Sequence, residues 1–181
     1  GSSNRVFLTI WDGGGKDTYD LSNYTGANKK DANIDLRPGE KSTISNTQLA
    51  DLGGGNMARG NVFNALQYQG SNASLIENAI GGDGNDTLTG NQIDNILEGG
   101  KGSNTYIGNQ GIDTAVFQQS RYYYNRTVPD AANGDKIFTG YGIALGENGT
   151  VKNDVENFQF KGRTSVADNS FAPAGTSTLA R

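Results

Sequence analysis

GGDGNDTLT, GNQIDNILE, GGKGSNTYI and GNQGIDTAV follow one another without a break from Gly81 to Val116. In nine-residue register, glycine opens each repeat. An acid or amide (Asp86, Asn95, Asn104, Asp113) holds the sixth place, and Leu88, Leu97, Tyr106 and Ala115 hold the eighth. Glycines permit the tight turn, the sixth-place oxygen reaches a hard cation, and the eighth side chain points inward. The pattern predicts an all-β fold, a calcium-binding parallel β-roll in which two repeats make one coil. A turn then lies over the turn 18 residues further on, with the cation between them. One repeat alone neither fills a coordination sphere nor buries its apolar residue, so metal binding and folding become one event. A glycine-rich linker would not hold glycine and an oxygen ligand in register through four repeats. An EF-hand is a worse fit, because Asp83 and Asn85 lack the glycine and distal glutamate that such a loop requires.

Composition agrees with a fold stabilised by ions. Only 34% of the 181 residues are hydrophobic, and the mean hydropathy is -0.60, which suits an elongated architecture better than a thick core. The net charge of -4 argues against nucleic acid, whose phosphates call for a basic face. Cysteine and histidine are both absent. Their absence removes disulfides, thiolate metal sites, the Ser-His-Asp triad and the HExxH zinc motif, so the chain is no zinc protease by itself. Paired carboxylates could still perform glycoside chemistry. No apolar run is long enough to cross a membrane, and Gly1, Ser2 and Ser3 read as a cloning remnant.

Around the repeats the chain reads as four regions: a β-rich flank over residues 1–80, the roll over 81–116, a β cap over 117–171 and a disordered tail over 172–181. In the flank, Arg5 to Asp20 reads as a strand, a glycine turn and a second short strand. Its Asp12, Gly13–Gly15 and Asp17 form a further repeat-like turn with Tyr19 inward. It stands 69 residues before Gly81, which is not a multiple of nine, and so is expected to be a separate cation site rather than an earlier coil of the run. Asn33 to Leu36 reads as a strand and Pro38-Gly39 as a turn; Ser45 to Gly70 reads as an irregular excursion with a short helix near Val62 to Leu66. Neither a GxGxxG fingerprint nor the GK pair of a phosphate loop is present. Beyond the repeats, Ala115–Phe117, Arg121–Val128, Lys136–Leu145 and Val155–Phe160 read as capping strands. Turns are expected at Ala132–Asp135 and at Glu147-Asn148-Gly149. Tyr122, Tyr123 and Tyr124 suit cap packing or a sugar-stacking platform.

The segments IWDGGGKDTYDLSNYTG, NIDLRPGE, RGNV and IENAIGGDGNDTLTGNQIDNILEGG resemble the C-terminal domain of serralysin-type metalloproteases, over roughly Val6 to Val116. That family joins an N-terminal zinc protease domain to a parallel β-roll and leaves Gram-negative bacteria by type I secretion. The resemblance implies one roll calcium between Gly82, Gly84, Asp86 and Gly99, Lys101, Asn104. It implies a second between Asn91, Ile93, Asn95 and Gly108, Gln110, Asp113. Flanking sites fall on Asp12, Gly14 and Asp17, and on Gly15, Asp17, Leu75 and Glu77, for about two to four Ca2+ in all, held by carbonyls and by Asp, Asn and Glu oxygens. Three departures stand out. Asn104 replaces the usual Asp, the Val62–Ala73 segment is longer, and the final STLAR lacks the acidic and hydrophobic ending of the secretion signal. The stretch from FQQSRYYYNRTV to NDVENFQF is similar to a closing module of other secreted repeat proteins, including lipases, glycan-active enzymes and adhesins.

The resemblance thus implies a noncatalytic, secreted, monomeric calcium-binding domain of a serralysin-like protease. Its partners would be calcium, an upstream protease domain and the type I secretion machinery, with neither nucleic acid binding nor membrane insertion. The alternatives are a calcium-stabilised adhesin or glycan-binding module, in which Tyr122–Tyr124 or Trp11 meets ligand, and a carbohydrate-active enzyme using Asp or Glu.

Overall fold

The computed structural model describes residues 5–26, 31–127, 134–140 and 146–161. The expected tail, residues 141–145 of one expected strand, and Ala132 and Asn133 of one expected turn lie outside them. The described chain is all-β, its strands linked by turns and short 3-10 segments. In chain order the strands are β1 (Leu8–Ile10), β2 (Thr18–Asp20), β3 (Asn33–Asp35), β4 (Lys41–Ser42), β5 (Asp51–Gly53), β6 (Asn56–Met57), β7 (Val62–Asn64) and β8 (Asn78–Ile80). They continue with β9 (Thr87–Thr89), β10 (Ile96–Glu98), β11 (Gly102–Ile107), β12 (Thr114–Phe117), β13 (Tyr124–Thr127), β14 (Lys136–Gly140), β15 (Glu147–Val151) and β16 (Asn157–Phe160).

From β8 to β12 the chain alternates between two sheets, which is the winding that the nonapeptide register predicts. One sheet runs β2-β8-β10-β12-β16, parallel throughout; the other runs β3-β9-β11-β15 in parallel and then adds β14 and β13 antiparallel. A three-residue strand offers one inward side chain. In the first sheet, register aligns Tyr19, Ala79, Leu97, Ala115 and Phe158 as one column. In the second it aligns Ile34, Leu88, Tyr106 and Val151. All four eighth-place residues, Leu88, Leu97, Tyr106 and Ala115, are fully buried, as their position in the repeat requires.

The roll continues beyond the repeats at both ends. Thr18–Asp20 pairs with Asn78–Ile80 in the same sheet, so the turn ending at Asp17 belongs to an earlier coil, contrary to the expectation of a separate site. The long insertion between β3 and β8 breaks the nine-residue count without breaking the stack. Glu147-Asn148-Gly149, expected as a turn, opens β15 beside Gly102–Asn104. Gly149 is required there by space, since a Cβ would lie 2.8 Å from Cε1 of Phe117 and 3.0 Å from Cε2 of Tyr106. The expected helix near Val62 is instead β7, paired in parallel with β1 and antiparallel with β4. Local propensity yields there to sheet pairing and to Asn61, whose Oδ1 accepts the N–H groups of Ile44 and Ser45.

An aromatic cluster fills the C-terminal end of the core. Phe117 lies with its ring centroid 4.8 Å from that of Phe138, 5.1 Å from Tyr124 and 5.4 Å from Phe160. Arg121–Tyr123, expected as strand, is a 3-10 turn that carries the chain to Tyr124. Tyr124 is buried while Tyr122 is exposed, so the three tyrosines do not share one face.

Candidate metal centre

The residues before each strand of the first sheet form one edge of the roll, and those before each strand of the second sheet form the other. On the second-sheet edge, Asp86 accepts the Ala32 N–H through Oδ1 at 2.8 Å, and Asn104 Oδ1 accepts the Asp86 N–H at 2.8 Å. On the first-sheet edge, Glu77 Oε2 accepts from Asp17 N, Asp113 Oδ1 from Asn95 N, and Glu156 Oε2 from Asp113 N, each at 2.8 Å. The sixth-place side chain of one coil therefore caps the backbone of the coil below it. Sequence reading missed a second ladder, one place earlier in the repeat: Asn85 Oδ1 accepts from Ser103 N and Asp94 Oδ1 from Ile112 N. The only signal for it was polar Asn85 and Asp94 at the fifth place.

The residues expected around the first roll ion come together. Lys101 donates its N–H to the Gly82 carbonyl at 3.1 Å, and the Asp86 carboxylate and Gly99 carbonyl both abut Gly81, at the spot where a Cβ would stand. Gly102 must be glycine on two counts: its φ is 88°, and a Cβ there would overlap the Gly84 carbonyl. Asn104 directs Nδ2 to the carbonyls of Gly100 and Lys101. Its amide nitrogen thus occupies the space where an Asp would add a second oxygen, and Lys101 extends outward to pair with Asp83 at 3.2 Å.

The second set is equally close. Gln110 donates to the Asn91 carbonyl at 3.2 Å, and Asn95 Oδ1 and the Gly108 carbonyl abut Gly90. Asn91 Oδ1 accepts from Ile93 N and from Asn95 Nδ2. Asp113 is completely buried, and its Oδ2 has no hydrogen-bond partner. Burial, followed by the neighbouring carboxylates of Glu156, Asp154 and Asp94, pushes its pKa up to about 7. Burial also raises Asp86. In the flank, Asp17 is joined to Glu77, its buried Oδ2 is likewise without a partner, and Gly15 stands against that oxygen. Leu75 is buried two residues ahead of Glu77. Asp12 closes its own turn, accepting the Gly14 N–H at 2.8 Å.

These observations fit a hard cation. Buried anionic oxygens without donors, set beside turn carbonyls that a Cβ would displace, are the donor set Ca2+ takes. Among the described residues no three acidic side chains converge on one point, so carbonyls would supply much of each shell. Two buried acids lie apart from the edge ladders, beside a cleft of about 250 Å³ lined by Gly81, Glu98, Lys101, Gln118 and Glu147. Both are engaged. Glu98 pairs with Lys161 at 2.6 Å and accepts from Gln118, while Glu147 accepts from the Tyr124 hydroxyl and the Gln118 N–H.

A parallel β-roll with ladders of oxygen side chains on both edges defines a repeat domain whose turns bring oxygen donors together. The profile of the peptidase M10 serralysin C-terminal family matches residues 1–169, and the chain belongs to that family. It is 37% identical over 97 residues to Metalloprotease AprA of Pseudomonas entomophila (strain L48), covering 54% of this chain and 16% of that protein. It is 38% identical over 98 residues to Serralysin of Proteus mirabilis, covering 53% and 15%. It is 40% identical over 87 residues to Serralysin A of Dickeya chrysanthemi, covering 48% and 14%. The chain thus spans about a sixth of the length of these relatives, and the matched family describes their C-terminal region, not the catalytic domain.

Proposed function

We propose that this chain is a noncatalytic domain whose folding is coupled to Ca2+, and that it supports type I secretion and extracellular stability of a serralysin-like protease. The observation that carries this reading is the pair of buried oxygens, Asp17 Oδ2 and Asp113 Oδ2, held without donors beside glycine turns. A buried carboxylate oxygen of that kind is costly until a cation or proton meets it. The roll sites are Gly82, Gly84, Asp86 with Gly99, Lys101, Asn104, and Asn91, Ile93, Asn95 with Gly108, Gln110, Asp113. The flanking site uses Gly15, Asp17, Leu75 and Glu77. Asn104 brings the first roll site no charge and no free oxygen, as Asn95 does in the second, so each roll site rests on a single aspartate, Asp86 or Asp113.

Without calcium, facing carboxylates repel across the coils, and one inward residue per strand gives little surface for collapse. At roughly millimolar calcium, the regime of extracellular modules, binding supplies the missing free energy. A chain poised in this way stays extended in a calcium-poor cytoplasm, as export requires, and folds once outside. Far-UV circular dichroism of the chelated protein titrated with calcium, with magnesium as control, tests the reading. A coil-to-β transition specific to calcium supports it, and a fold indifferent to chelator refutes it. A glycan-binding platform of the three tyrosines has less support, because Tyr124 lies in the core and only Tyr122 of them is exposed, which leaves exposed Trp11 as the other contact for that reading.

A further inference from the structure

We propose an additional calcium site at the C-terminal end of the roll, between the Gly108–Asp113 turn and Asp154–Glu156, with Asp113 and Glu156 as its anionic ligands. The inference rests on the calcium reading above and extends it to a coil that carries no nonapeptide repeat.

Its basis is an internal repetition that the nine-residue register hides. Ile76-Glu77-Asn78 leads into β8, and Val155-Glu156-Asn157 leads into β16. Ile76 and Val155 are both buried. Glu77 accepts the Asp17 N–H at 2.8 Å, and Glu156 accepts the Asp113 N–H at 2.8 Å. Asn78 N donates to the Asp17 carbonyl at 3.0 Å, and Asn157 N to the Asp113 carbonyl at 2.9 Å. The two Asp–Glu pairs therefore sit at opposite ends of the five-stranded sheet in the same relation to it. In both, the aspartate Oδ2 is buried and without a partner.

The hydrogen bonds of the last turn explain how Asp113 comes to be left open. In the first two repeats the second-place N–H caps the sixth-place side chain: Gly82 N donates to Asp86 Oδ2 at 2.9 Å, and Asn91 N to Asn95 Oδ1 at 2.7 Å. In the last turn the corresponding Asn109 N–H goes to Asp154 Oδ2 at 3.0 Å, and Gly108 N goes to Asp154 Oδ1 at 3.1 Å. Asp154 thus takes the Asn109 N–H, the donor that would have satisfied Asp113. Its carbonyl also abuts Gly108 beside Asp113 Oδ2, as the Gly99 carbonyl abuts Gly81 beside Asp86. By the same correspondence, carbonyls of Asn109 and Gly111 complete the set, and water fills the side left open by the exposed Glu156. Two carboxylates neutralise a divalent ion, and a mixed carboxylate, carbonyl and water shell in an irregular turn suits Ca2+ rather than octahedral Mg2+. The ion would close the last coil of the described residues.

The test counts calcium ions on the whole chain at saturation, by native mass spectrometry and equilibrium dialysis, with folding checked by circular dichroism. Glu156→Gln should load one ion fewer than wild type, and Glu40→Gln, on an exposed residue of the flank, should load the full number. Glu156→Lys places an ammonium beside Asp113 in the ion's stead, so it should fold and also lack one ion, which keeps the test decisive if the glutamine variant fails to fold. Full occupancy in the folded variants overturns this site while leaving the calcium reading intact. A wild type that loads no calcium overturns both.

Discussion

Leu97→Ala isolates how strongly the inward column is coupled to the edges at which calcium is proposed to bind. Leu97 is fully buried, and its neighbours in register on both sides are alanines, Ala79 and Ala115. It is the large side chain that fills the middle of the first sheet's column. Alanine would leave three consecutive alanines, and neighbours fixed by strand hydrogen bonds cannot collapse into the space. The cost therefore falls in the upper part of the range for buried leucines, about 4 kcal/mol. If the three ions of the proposed roll and flanking sites bind as the chain folds, each tenfold rise in free calcium adds about 4 kcal/mol, three times the 1.4 kcal/mol of a single site. The calcium midpoint for folding should then rise by about one decade, roughly tenfold. Calcium titration followed by far-UV circular dichroism reads the shift directly. An unchanged midpoint alongside a lowered melting temperature would refute the reasoning, since core packing and ion binding would then be separate events.

Gly102→Ala should be worse tolerated than most surface changes, because φ is 88° and the new Cβ overlaps the Gly84 carbonyl; loss of the calcium-induced transition, or a midpoint raised at least tenfold, is expected, and a wild-type titration would contradict the turn geometry. Tyr124→Phe removes the hydroxyl that donates to buried Glu147; a cost of about 1–3 kcal/mol, read as a melting temperature several degrees lower in saturating calcium, checks the cap, and an unchanged melt would count against it. The Asp113 pKa is raised from 3.8 to about 7 in the metal-free fold, so stability from its protonation is fully present below the unfolded pKa and lost as pH rises through about 7. Acidification of the chelated protein from about pH 7 toward 4 should therefore recover β structure, and in wild type it should also raise the calcium midpoint; no gain of structure in acid, with the gain also absent in Asp113→Asn, would contradict the buried state of this carboxylate.

The repeats were legible because each position has one physical duty, and the duty recurs every nine residues. The inward residues Leu88, Leu97, Tyr106 and Ala115 follow from that alone. What the register could not give were the coils without it. Asp17 and Glu77 lie 60 residues apart in sequence yet share one hydrogen bond, because the insertion between β3 and β8 leaves the stack through one edge and returns to it. Val62–Asn64 has helix-compatible neighbours, but the parallel partner β1 decides its state. Glu147–Gly149 carries the composition of a turn for a reason unrelated to turning, since Gly149 makes room for Phe117 and Tyr106. Asp154 and Glu156 escaped notice because their turn is shorter than a nonapeptide, and only the hydrogen bonds from Gly108, Asn109 and Asp113 assign their places.

The two ends of the roll are stabilised by different means, and that difference bears on the proposed response to calcium. Toward the C-terminus the core widens from a single column into the Phe117, Tyr124, Phe138 and Phe160 cluster, closed by two antiparallel strands. Toward the middle the first sheet offers only Ala79, Leu97 and Ala115, so the edges must carry cohesion that apolar burial does not supply. Roll stability is a sum of coil and neighbour terms, so folding begins where intrinsic stability is greatest and spreads to neighbouring coils. The aromatic end is that place. The orphaned oxygen of Asp113 lies in the coil next to it, so an ion bound there would join the aromatic cap to the repeats, and calcium would act first where the repeats meet a surface already inclined to fold.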